Sequence, residues 1–92
     1  MTKGDLLDHA TQLAIELLDG SVLKANLQHM KREGTATQEE VNEVTADLEF
    51  LRRNLRIAVD RAEAIIAGAQ LPPAADNPRL DEVRARLRKR QA

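Results

Sequence analysis

The sequence predicts an all-α fold, in which an antiparallel helical hairpin is followed by a short C-terminal helix. Two observations predict it. Apolar residues recur in alternating steps of three and four along residues 41–69, which is typical of a helix packed along one stripe. The chain is also rich in Leu, Ala, Glu and Arg, which favour helices, and its single aromatic residue is Phe50. Because 92 residues bury only a modest core, we expect two copies to form a homodimeric bundle.

The second predicted helix, residues 38–67, carries the clearest pattern. Thr37 and Glu40 have the spacing of a capping box, in which each side chain accepts a hydrogen bond from the other residue's backbone N–H. Gly68 provides a C-terminal stop. The alternating steps of three and four continue for four heptads, and this repeat predicts a coiled-coil-like seam against an antiparallel neighbour. The seam consists of Val41, Val44, Leu48, Leu51, Leu55, Ala58, Ala62, Ile65 and Ala69.

The first predicted helix, residues 5–33, changes its apolar face near Gly20. Leu6, Leu13 and Leu17 belong to one stripe, whereas the later apolar residues are displaced around the helix. One straight helix with one neighbour cannot bury both stripes. Two interpretations follow: a kink or break at Gly20, which we favour, or a continuous helix that contacts different neighbours along its length.

Turn signals divide the chain into three parts. Gly34 lies in a short connection between two arms of similar length, so residues 1–69 form the hairpin. Residues 70–77 form a Pro-containing linker. Asn77 and Pro78 are a helix-start signal, which predicts a basic amphipathic C-terminal helix within residues 78–92.

The charge distribution raises the question of what the C-terminal helix binds. Residues 1–77 hold 8 Lys/Arg against 13 Asp/Glu, net −5, and residues 78–92 hold 6 against 2, net +4. A nucleic-acid arm is one interpretation. An acidic body repels polyanions and no aromatic platform is present, so we favour a helix docked on protein. The candidate nucleic-acid contacts are Arg84, Arg88, Lys89 and Arg90.

A second apolar stripe on the second helix contains Phe50 and Ile57, seven positions apart and away from the heptad seam. Three occupants would bury it: the apolar seam of the C-terminal helix, a second subunit, or a foreign protein. Large side chains such as Phe50 dominate interfaces. The candidate partner-binding residues are therefore Phe50, Ile57, Leu80, Val83 and Leu87.

No catalytic, cofactor or metal site is predicted. The chain has no cysteine, and His9 and His29 have no partner at metal-ligand spacing. Ser21 fits a cap better than a nucleophile. Glu40, Glu43 and Asp47 line one helix face and could together bind a hard cation, but we favour a solvated N-terminal face on which the helix dipole favours acids. We do not expect an enzyme, and with no apolar run that would cross a membrane we expect a cytoplasmic location.

The hairpin, residues 5–67, resembles in outline the co-chaperones of type III secretion needle subunits and small phage-encoded regulators. The likeness consists of two similar arms, a Gly-containing turn and the stretch AVDRAEAII at residues 58–66. Any amphipathic hairpin shares these features, so no family is assigned. The sequence predicts a non-catalytic protein-protein interaction module, acting as an adaptor, inhibitor or assembly chaperone. The alternative is a small nucleic-acid-binding transcriptional regulator that uses the basic C-terminal helix.

Overall fold

The computed structural model describes residues 3–72 and 76–91, and three α-helices make up most of that part of the chain. The first, α1, spans Lys3–Arg32; α2 spans Gln38–Ile66; and α3 spans Pro78–Gln91. The first two form the hairpin, and α3 packs against both of them. These ranges contain no strand. The predicted all-α hairpin with a C-terminal helix is confirmed.

The turn between α1 and α2 depends on Gly34, whose positive φ of 83° is a conformation that favours glycine. Its N–H donates to the Lys31 carbonyl at 3.1 Å, and the Thr35 N–H donates to the Met30 carbonyl at 2.8 Å. This pair of bonds is a Schellman motif, which satisfies carbonyls that the helix end would leave free. The predicted end of the first arm is confirmed.

The ends of α2 and the start of α3 are also those that the sequence predicts. The capping box is formed, since Thr37 Oγ1 accepts from the Glu40 N–H at 3.2 Å and Glu40 Oε1 accepts from the Thr37 N–H at 3.2 Å. Gly68, with φ of 93°, closes a second Schellman motif. Asn77 Oδ1 caps α3 by accepting from the Leu80 N–H at 3.1 Å. Residues 73–75 of the predicted linker lie outside the described residues.

The core forms along the predicted seam of α2. Leu51 is fully buried, whereas Leu55 and Ile65 are half-buried and Ala69 is exposed. Residues from all three helices complete the core, so the hairpin and α3 fold around one apolar centre. The buried apolar residues are Leu6, Ala10, Leu13, Leu27, Val41, Val44, Leu48, Leu51, Ala58, Ala62, Leu80, Val83 and Leu87.

Gly20 lies inside α1, which is one uninterrupted helix from Lys3 to Arg32. A break at Gly20 is therefore excluded, and α1 is a continuous helix that meets different neighbours along its length. Gly20 is buried, and a Cβ at this position would overlap Leu48 Cδ2 and would lie 3.9 Å from Leu87 Cδ1. The glycine thus allows α1 to approach side chains of both α2 and α3.

We predict that Gly20→Ala destabilises the chain although alanine is the better helix former. Alanine gains about 1 kcal/mol in helix propensity, but overpacking a core costs about 1–3 kcal/mol, because Leu48 must move. In a Leu48→Ala background the overlap is gone, so Gly20→Ala should then stabilise by about 1 kcal/mol. Urea unfolding of the unsubstituted chain, of the two single variants and of the double variant measures these free energies. An equal effect of Gly20→Ala in both backgrounds would reject the close-approach role.

Candidate protein interaction sites

The apolar seam of α3 is buried in the chain's own core. Leu80, Val83 and Leu87 are each less than one-tenth exposed and pack with buried residues of the hairpin. Of the three occupants considered for the stripe of Phe50 and Ile57, the C-terminal helix contacts Phe50 but leaves Ile57 exposed. As placed, the three seam side chains of α3 have no free surface to offer another protein.

Arginines on one flank of the α3 seam contact α1. Arg84 Nε donates to both carboxylate oxygens of Glu16 at 2.8 Å, and Arg84 Nη2 lies 2.7 Å from Glu16 Oε1. Both side chains are more than four-fifths buried. Arg88 Nη2 approaches the same carboxylate at 3.8 Å. The hydrogen bond to Glu16 raises the pKa of Arg84 against the opposing effect of burial.

Arginines on the other flank of the seam contact α2. Arg86 donates to the buried carboxylate of Asp47, with Nη2 2.8 Å from Oδ1, and this bond raises the pKa of Arg86. Arg90 Nη2 donates to Glu43 Oε2. The α3 cations thus neutralise acidic side chains of the hairpin on both sides of the seam. This docking accounts for the opposite net charges of residues 1–77 and 78–92.

The raised arginine pKa values show how titration of the arginines themselves affects docking. A group whose pKa is higher in the folded chain than in the unfolded chain stabilises the fold. The stabilisation is complete when the pH is below the unfolded-state pKa, and it is lost as the pH rises through the folded-state pKa. Both pKa values of Arg84 and of Arg86 lie far above neutrality. Arginine titration therefore does not undock α3 near neutral pH, and salt is the condition expected to weaken its exposed pairs.

The candidate nucleic-acid residues do not form one free basic stripe. Arg84 and Arg90 are engaged with carboxylates, the exposed Arg88 lies 3.8 Å from Glu16, and Lys89 is exposed. A phosphate that approached Arg84 would have to displace Glu16. The carboxylates considered as a cation site are likewise in use, because Glu40 belongs to the capping box and Asp47 pairs with Arg86. Among the residues described, no group of three His, Cys, Asp or Glu side chains could hold a metal ion.

Phe50 and Ile57 do not act as one surface. Phe50 is half-buried, and the Arg79 guanidinium lies over its ring at 4.8 Å from the centroid, with Arg53 at 5.9 Å. Such stacking is attractive because the ring face is electron-rich. Phe50 therefore helps to hold the start of α3. Ile57, by contrast, is 57% exposed and remains accessible on α2.

A third apolar surface, which the sequence analysis missed, lies on the outer side of α1. At about 100° per residue, its members fall within a stripe about 100° wide, roughly opposite the buried residues of the same helix. We call it the α1 outer face: Leu7, Thr11, Ala14, Ile15, Leu18, Val22 and Ala25. All seven are exposed and none carries a charge. The four large side chains are exposed by 43% (Leu7), 48% (Ile15), 67% (Leu18) and 57% (Val22).

Comparisons with known protein families, with curated proteins and with solved structures found no match to this chain. Within the described ranges, no helix is both long enough and apolar enough to cross a membrane.

Proposed function

We propose that this chain is a non-catalytic protein-protein interaction module that binds a protein helix through the α1 outer face. The observation that carries the proposal is the run of large, exposed aliphatic side chains along this face, without an interrupting charge. Scattered exposed apolar residues are ordinary on a protein surface. A continuous apolar patch is instead typical of a surface that another protein covers.

The shape of the face favours a helical partner. Its residues follow the helical repeat from residue 7 to residue 25, about 27 Å of helix. Small residues, Ala14 and Ala25, alternate with Leu7 and Leu18, which leaves holes between ridges for the side chains of another helix. Whether binding makes the chain an adaptor, an inhibitor or an assembly chaperone then depends on the protein bound.

Nucleic-acid binding through α3 is the runner-up, and the geometry supports it less well. Arg84, Arg86 and Arg90 are already paired with carboxylates of the hairpin. Phosphate contacts would have to compete with those pairs, and residues 1–77 carry net −5. The α1 outer face, in contrast, needs no rearrangement of the chain to accept a partner.

The test compares charge substitutions on two exposed apolar positions. A tagged chain in its native host would be crosslinked in cells and recovered with the proteins attached to it, including untagged copies of itself. We predict that Leu18→Glu lowers this recovery at least about tenfold, because a buried, unpaired carboxylate costs several kcal/mol at an interface.

The matched control is Ile57→Glu, since Ile57 is about as exposed as Leu18 but lies on α2. This variant should retain the attached protein. Both substitutions should leave the helical circular dichroism signal unchanged, because neither side chain is in the core. If Ile57→Glu loses the attached protein and Leu18→Glu keeps it, the binding surface is on α2 and the proposal is wrong.

A further inference from the structure

We propose that a basic groove between α1 and α2, on the side of the hairpin away from α3, binds an acidic segment of a partner protein. The basic groove consists of Lys24 and Gln28 on α1 and of Arg52 and Arg53 on α2. The inference rests on the proposed function in one respect, that the occupant is a protein. It concerns a surface other than the α1 outer face.

The position of the groove follows from the distribution of charge around α2. Glu43 and Asp47 face α3 and pair with its arginines. Arg52 and Arg56 each follow one of these acids by nine residues, which is about 180° around a helix. Docking of α3 therefore neutralises acids on one flank of α2 and leaves the arginines of the opposite flank exposed.

Lys24 of α1 lies beside these arginines in the folded hairpin. Lys24, Gln28 and Arg52 line one open cavity of about 280 Å³. Arg52 and Arg53 line a second cavity, and Glu49 is common to both. The groove thus combines three cations with one carboxylate, net +2, although residues 1–77 as a whole carry net −5.

The groove holds hydrogen-bond donors that the chain itself does not use. In the part of the chain that the structure describes, the side chains of Lys24, Gln28 and Arg52 have no hydrogen-bond or ion-pair partner. The hydroxyls of Ser21 and Thr45, which line the same cavity, already donate to carbonyls of their own helices at 2.9 and 2.8 Å. Cationic donors bind most strongly to anionic oxygens. The ligand that suits this groove is therefore an anion with several acceptor oxygens.

Two features favour an acidic protein segment over a nucleic-acid backbone. Ala25 lines the cavity and also belongs to the α1 outer face, so the groove adjoins the surface proposed to bind protein. The same flank of α2 continues to Asp60 and Glu63, within about 17 Å of Arg52 along the helix. A long polyanion that followed α2 would meet these acids, whereas a short acidic segment fits within the basic part.

The test titrates the purified full-length chain with hexaglutamate at low salt and follows binding by NMR. We expect saturable shifts of the signals of Lys24, Gln28 and Arg52, and few shifts on α3. Arg52→Gln should weaken binding about threefold, the size of one exposed ion pair, because Arg52 lines both cavities. Glu49→Gln should strengthen binding to a similar extent, because it removes the carboxylate that repels the probe.

The matched control is Lys89→Gln, which removes the same charge from an exposed position on α3. It should bind hexaglutamate as tightly as the unsubstituted chain. Equal weakening by Lys89→Gln and Arg52→Gln would show that only net charge matters and would overturn the proposal. Tighter binding of oligothymidylate of equal charge would assign the groove to nucleic acid, and equal shifts with inorganic phosphate would assign it to simple anions. Either result would also overturn the proposal.

The basic groove and the α1 outer face can fail independently. If hexaglutamate shifts no residue of the groove and Leu18→Glu still abolishes recovery of the attached protein in cells, the acidic segment is wrong and the proposed function stands. If hexaglutamate binds in the groove and recovery falls with Arg52→Gln but not with Leu18→Glu, the groove is the binding surface and the α1 outer face is not. Arg52, Glu49 and Lys89 are all exposed, so these variants should keep the helical circular dichroism signal.

Discussion

Leu51→Ala is expected to remove a large share of the stability of this chain. Leu51 is fully buried where α2 meets the rest of the core, so its loss removes apolar contacts and leaves a cavity. Such changes cost about 2–5 kcal/mol. A domain of this length is stable by roughly 5–14 kcal/mol in total. Urea unfolding followed by circular dichroism should therefore show a midpoint well below that of the unsubstituted chain.

The control for this prediction is Leu55→Ala, one step further along the same seam. Leu55 is only half-buried, so the same chemical change leaves less of a cavity and should cost about half as much. Both chains should be compared at equal protein concentration, because any self-association would make the midpoint depend on concentration. Equal losses below about 0.5 kcal/mol for both variants would show that the seam does not face the core.

The hairpin could be predicted from the sequence because its signals are local and agree with one another. The capping box at Thr37, the Schellman glycines at positions 34 and 68 and the Asn77 cap each depend on a few adjacent residues. The strict repeat along α2 adds one piece of long-range information, because a stripe that stays on one side of the helix indicates a neighbouring helix along its whole length. Local and long-range preferences that coincide leave few alternatives.

Gly20 shows why the remaining features could not be predicted. A glycine within a helical pattern fits either a helix end or a close approach, and both have the same local sequence. The presence of Leu48 and Leu87 beside it decides between them, and that is a property of the packed fold. The α1 outer face was missed for a similar reason. Whether Leu18 is covered depends on how many helices surround α1, which periodicity along a single helix does not reveal.

The placement of α3 shows how an apolar seam and flanking charges act together. Its buried surface is narrow, with Val83 at the centre of the seam. The arginines on either side have defined partners, Glu16 on α1 and Asp47 on α2. Apolar contact favours docking without fixing direction, whereas paired charges on both flanks disfavour a reversed or rotated helix. The two kinds of contact together select one orientation of α3.

Glu16→Ala is the second change expected to have a large effect. It leaves the mostly buried Arg84 guanidinium without its main partner, and breaking a buried pair costs about 3 kcal/mol or more. The loss should appear mainly as undocking of α3, so hydrogen exchange of the α3 amides should accelerate more than that of the α1 and α2 core. Urea unfolding gives the loss in overall stability.

Two further variants separate the effect of burial from that of charge. Glu43→Ala removes the partner of Arg90, but Glu43 is 62% exposed, so this loss should be below about 1 kcal/mol. Replacing Glu16 and Arg84 together by Leu and Met should recover most of the lost stability, because no unpaired charge remains and the volume is filled. If Glu16→Ala costs no more than Glu43→Ala, the Glu16–Arg84 pair does not hold α3, and the apolar seam alone must account for its docking.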